Sequence, residues 1–223
     1  MSTVLATEAR RVIRGTSPLI SWALLAGGVF FLVGGPMHPK EDPPGVSAKE
    51  HLRVMYEDKL WFPGHAVLLV GMVLIAVALV ALARSRSLSG VPGVRLWVVV
   101  AAAAAAAAAP GMLLHLISGV EAHAIAAHRS TPITDVQGVV ETITVPAFGF
   151  SIAVLAVLGA ATRTLGNRLA AVAGVLGGVG YGLAGATILF TDRLDFLFPA
   201  ATGIALWAIA AGIGLLRKSG DCR

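Results

Sequence analysis

The chain has 223 residues, of which 57% are hydrophobic and 13% charged, and its formal charge is +5. A soluble domain carries about twice that charged fraction, so the composition excludes an ordinary soluble globular protein and calls for membrane-spanning helices. The basic residues sit at the ends of apolar segments and form no stripe, which excludes nucleic acid as a partner, and the single cysteine, Cys222, excludes an internal disulfide or a cysteine-based metal cluster.

Six apolar segments approach or exceed the ~20 helical residues that cross a bilayer. Arg10, Arg11 and Arg14 precede the first, at 18–36. A basic lead also marks signal peptides, but this apolar run is long and the following "GGPMHP" has no small-x-small cleavage pattern. The span is therefore read as retained. An extracytoplasmic cap over 37–61 follows. In it "KEDPPG" is a rigid exit, and Ser47 with Glu50 fits a capping box opening a short helix. Leu52, Met55, Tyr56 and Leu60 make that helix amphipathic, suited to the outer membrane surface, and Trp61-Phe62 forms an interfacial anchor.

The second span covers 62–83, with Pro63 in its first turn, and the third covers 95–118. Within the third, the alanine run 101–109 allows close helix packing and Pro110-Gly111 predicts a kink. The fourth, fifth and sixth spans fall at 142–162, 168–190 and 196–216. Gly174, Gly178 and Gly182 leave one face of the fifth nearly flat, a surface for another helix and a candidate homodimer face.

Arg84, Arg86, Arg95, Arg163, Arg168, Arg217, Lys218 and Arg223 lie in the loops on the side of the amino terminus. The opposite loops carry Glu41, Asp42, Glu50, Glu57, Asp58, Asp135, Glu141, Asp192 and Asp195. This asymmetry predicts an all-α, six-helix integral protein of a bacterial inner membrane with both termini cytoplasmic.

All six histidines, at positions 38, 51, 65, 115, 123 and 128, fall at or beyond the outer ends of these spans. The stretch "LLHLISGVEAHAIAAH", 113–128, looks like a metal motif, but helical rise argues otherwise. His115 and His128 would stand ~20 Å apart, and His115 and His123 ~12 Å apart on different faces. A metal–imidazole bond is ~2.0–2.1 Å, so ligands must come from several helices. Counted from the cytoplasmic ends, His38, His65, His115 and Glu141 all reach roughly 27–33 Å, one layer at the outer hydrocarbon boundary. Three imidazoles and a carboxylate match the ligand set of a zinc, copper or non-haem iron site. A haem b held by two of the histidines ranks behind it, because it needs an apolar slot between opposed rings. Against both stands the ordinary tendency of polar residues to collect where water is. His51, His123, His128 and Glu121 read as solvated, with the last three forming a wet extension of the third helix, and Asp192 and Asp195 read as a solvated turn.

The runs "GGPMHPKEDPP", "WFPGH" and "LFPAATGIALWAIAAGIGLL" resemble an uncharacterised family of six-span polytopic membrane proteins of GC-rich bacteria. The resemblance implies six spans, draws attention to His38 and His65, and brings no catalytic residue with it.

The sequence thus predicts a protein of the lipid bilayer with a histidine-rich polar pocket at its outer face, binding a metal ion or small ligand. The alternatives are a small dimeric transporter, which would want ionisable groups near mid-membrane, and a non-catalytic accessory subunit of a membrane complex. An enzyme version, a membrane hydrolase or a metal redox protein, would need an open coordination position and a general base that sequence does not reveal.

Overall fold

A computed structural model describes residues 16–38, 47–191 and 193–220. Arg10, Arg11, Arg14, the "KEDPPG" turn with Glu41 and Asp42, Asp192, Cys222 and Arg223 lie outside the described residues. The described chain is helical throughout, with no strand.

Helix α1 covers Pro18–Met37, where Ser17 Oγ accepts from the Leu19 amide and Pro18 occupies a position that needs no donor. Helix α2 is Ala48–Glu57, α3 Trp61–Arg84 and α4 Pro92–Ser118. Helix α4 runs through Pro110 and passes into a 3₁₀ turn, Gly119–Glu121, and a short helix α5, Ala122–Ala126. Helix α6 covers Pro132–Ala161, and α7 covers Arg168–Thr187 with Asn167 capping the Ala170 amide. A 3₁₀ stretch, Asp195–Ala200, leads into α8, Ala201–Gly220. Six of these stretches are long and apolar enough to cross a membrane. The fourth starts ten residues before the expected 142, because the polar segment 132–141 is helix and buries Gln137 and Glu141 while Asp135 stays exposed.

The spans pack as a closed ring in chain order: α1 on α3, α3 on α4, α4 on α6, α6 on α7, α7 on α8, and α8 back on α1. Phe31, Met72, Ile75, Phe148, Ile152 and Trp207 fill its interior, and the Phe31 ring on α1 meets the Tyr181 ring on α7 edge-on at 6.4 Å.

Glycine brings the backbones together. A Cβ on Gly178 would strike the Gly149 carbonyl, one on Gly174 would lie 2.7 Å from Ala156 Cβ, and one on Gly182 would lie 2.8 Å from the Phe150 ring. The flat face of the fifth span therefore packs within the chain, on α6 and, at Gly174, also on Trp207 of α8. Gly180, Gly182 and Gly185 have the spacing of a phosphate-binding loop, but they lie inside the continuous helix α7, where no strand leads into a loop.

Helix α2 keeps only half of its expected capping box. Ser47 Oγ accepts from the Glu50 amide at 3.3 Å, while the Glu50 carboxylate takes two hydrogen bonds from Arg53 instead of reaching back. Arg53 thereby holds the Glu50 carboxyl below its ordinary range. The apolar face of α2 does not lie open toward lipid. Leu52, Met55 and Tyr56 pack on Trp61, Ala122 and Ile125, so the helix lies on α5 and on the start of α3.

Candidate metal centre

Three helix ends deliver three imidazoles to one place. His38 is the residue that leaves α1, in extended conformation after its amide bonds the Gly35 carbonyl. His65 lies in the second turn of α3, just below Pro63, and is 1% exposed. His115 lies in the last turn of α4. One ligand nitrogen from each can be chosen so that all three lie within 4.8 Å of one another. The ring centroids of His38 and His65 are 4.9 Å apart, those of His65 and His115 4.6 Å, and those of His38 and His115 6.3 Å.

Trp61 forms the wall of this cluster. It is fully buried, with its ring centroid 4.0 Å from that of His65 and 5.0 Å from that of His115. Its indole Nε1 donates to the Leu116 carbonyl at 3.1 Å, one of the last carbonyls of α4. The indole fits because residue 119 is glycine, where a Cβ would overlap Nε1 and Cδ1.

The hydrogen bonds show which nitrogens are already engaged. His65 Nδ1 lies 2.7 Å from the Trp61 carbonyl, which can only accept, so the proton is on Nδ1 and the lone pair on Nε2. That Nε2 is buried and has no hydrogen-bond partner among the described residues. An unmatched buried acceptor costs about 1–3 kcal/mol and calls for an explanation. His115 Nδ1 lies 2.9 Å from Glu141 Oε1, and Gln137 Nε2 donates to Glu141 Oε2. Gln137 and Glu141 are each 6% exposed and stand four residues apart, on one face of α6.

His38, His65, His115 and Glu141 are thus together, as their common depth suggests, and the inward-facing group of three is made of imidazoles alone. His51 is half-buried on α2, and His123 and His128 are exposed, the last with φ 51°. Glu121 departs from the expectation of a wet extension. It is buried, and its carboxylate accepts from the amides of Ile133 and Thr134 and from the Thr134 hydroxyl at 2.8–3.0 Å. It caps α6, whose residue 131 makes no side-chain cap of its own. Tyr56 extends this network, since Thr134 Oγ1 gives its own proton to Glu121 and so accepts from the Tyr56 hydroxyl at 3.3 Å. Burial holds the Tyr56 phenol above its ordinary value.

Gln137 and Trp61 are the site residues that sequence reasoning missed. The four-residue spacing of Gln137 and Glu141 was the available signal, and it is visible only when 132–141 is read as helix. Comparison of the chain with family models, with curated proteins and with solved structures finds no match.

Proposed function

We propose that this integral membrane protein binds one transition-metal ion through His38, His65 and His115 at the extracytoplasmic end of its bundle, with both termini in the cytoplasm. The observation that carries the reading is the buried, unpartnered Nε2 of His65, its tautomer fixed by the Trp61 carbonyl, on an imidazole grouped with those of His38 and His115. Metal-binding histidines commonly engage the second ring nitrogen in this way, on a carbonyl or a carboxylate. His65 and His115 both do so.

Three neutral imidazoles without a thiolate suit zinc, copper or iron, zinc being the ion whose tetrahedral sites most often use such sets. Nitrogens sharing one tetrahedral ion stand roughly 3.3 Å apart for bonds of ~2.0–2.1 Å, so the cluster closes inward from its 4.8 Å spread when an ion binds. The rings and Trp61 pack against one another at centroid distances of 4.0–6.3 Å. That supports a single ion over the broad plane of a porphyrin. Glu141 is the one described carboxylate well inside a long helix, and it is engaged by His115, which favours a binding site over a transport path through mid-membrane. The inner-side residues Arg84, Arg86, Arg95, Arg163, Arg168, Arg217 and Lys218 support the assigned orientation.

Elemental analysis of the full chain, purified in detergent without a histidine tag and dialysed against zinc, tests the reading. The expected result is about one zinc per chain, lost in His65→Ala and in His115→Ala. Zinc absent from the wild type, or held equally by both variants, would contradict it.

A further inference from the structure

We propose that Glu141 and Gln137 are positioning residues that aim His115 at the metal, and that Glu141 is not itself a ligand; this rests on the metal reading above. The Glu141 carboxylate has both oxygens engaged, Oε1 by His115 Nδ1 at 2.9 Å and Oε2 by the Gln137 amide. With the carboxylate as acceptor, Nδ1 carries a proton and Nε2 is the ring nitrogen left to face a metal. Gln137 Nε2 also lies 3.0 Å from His115 Nδ1, so the amide, the carboxylate and the imidazole form one polar cluster. The ligand atoms that lie within 4.8 Å of one another belong to His38, His65 and His115, and no Glu141 oxygen joins that group.

The two positioning residues come from α6, which contributes none of the three imidazoles. Their four-residue spacing puts the amide one turn above the carboxylate on the face that meets α4. The amide fixes the carboxylate, the carboxylate fixes the tautomer and ring plane of His115, and the negative charge makes the imidazole a stronger donor. His65 has the same arrangement in neutral form, with the Trp61 carbonyl in place of the carboxylate. The ion therefore joins the ends of α1, α3 and α4 directly and α6 through His115.

Cobalt(II) titration of the tag-free full chain in detergent, read by its visible absorption and by competition with a chelating dye, tests the assignment. Removal of such an outer partner typically costs ~10–100-fold in metal affinity, and that loss is expected for Glu141→Ala. X-ray absorption should show the same number of imidazoles in this variant as in the wild type. Glu141→Gln should recover part of the affinity, because its amide oxygen still accepts from Nδ1–H, and its cobalt spectrum should shift as the donor weakens. Gln137→Ala should give a smaller loss in the same direction. Wild-type affinity in both Glu141 variants, or the loss of an oxygen donor from the cobalt shell in Glu141→Ala, would overturn the assignment and leave the three-histidine site standing. A wild-type chain that takes up no cobalt would overturn both.

Discussion

Trp61 carries more of the site than any single histidine. Its carbonyl sets the His65 tautomer, its ring packs on two imidazoles, and its indole N–H satisfies a terminal carbonyl of α4. Trp61→Phe keeps an aromatic wall but leaves the Leu116 carbonyl unmatched, which should cost about 1–2 kcal/mol in thermal unfolding. Gly119→Ala should be worse for metal affinity than its size suggests, because the added methyl overlaps the indole and must push it into the imidazoles. A zinc titration of the two variants checks the order. Tyr56 adds a pH dependence of definite sign. Burial raises its pKa above the unfolded value near 10, so its contribution to stability is complete below pH ~10 and is lost as the pH rises through the folded value. Thermal scans between pH 8 and 11.5 should fall more steeply at the alkaline end for the wild type than for Tyr56→Phe. Parallel curves would remove the tyrosine from the account.

At the scale of elements, the decisive piece is the first third of α6. Ten residues that look like a polar loop, "PITDVQGVVE", form helix because Glu121 supplies the cap from another segment and Gln137 and Glu141 find partners indoors. Glu121→Ala removes acceptors from two terminal amides and a hydroxyl, and should lower stability by about 1–2 kcal/mol with fraying at 132–135. Hydrogen exchange at the Ile133 and Thr134 amides reads that fraying directly, and unchanged protection would argue against the cap. This element also marks where sequence stopped being informative. Hydropathy finds the apolar two thirds of α6, since lipid exposure writes that pattern plainly. It cannot tell a polar turn in water from a polar turn sealed by a glutamate at position 121. The same limit made Glu121 look solvated and hid Gln137. The spacing inside 113–128, in contrast, follows from helical rise, and His123 and His128 are exposed and outside the group that holds His115.

Among the described residues six long helices form a ring, with small residues at its seams and the histidine cluster at one end. Segment lengths and hydropathy sufficed for the six long apolar helices, and equal depth sufficed to bring His38, His65 and His115 together. Lateral order was not legible, because it is set by glycine contacts such as Gly149 with Gly178 that have many equivalents in so glycine-rich a chain. Those contacts also make a prediction. Gly178→Leu should prevent α6 from meeting α7 and abolish a folded, monodisperse protein, whereas substitution of Gly214, which faces open space, should be tolerated. Accessibility reporters fused to each terminus should both report the cytoplasm, and a reporter near residue 129 should report the opposite side. The central claim, one ion on three imidazoles, is tested most directly by X-ray absorption at the zinc edge of the tag-free protein. The account predicts three imidazole nitrogens at ~2.0–2.1 Å. A zinc shell with fewer than three imidazoles, or zinc bound below one equivalent and lost on gel filtration, would contradict it.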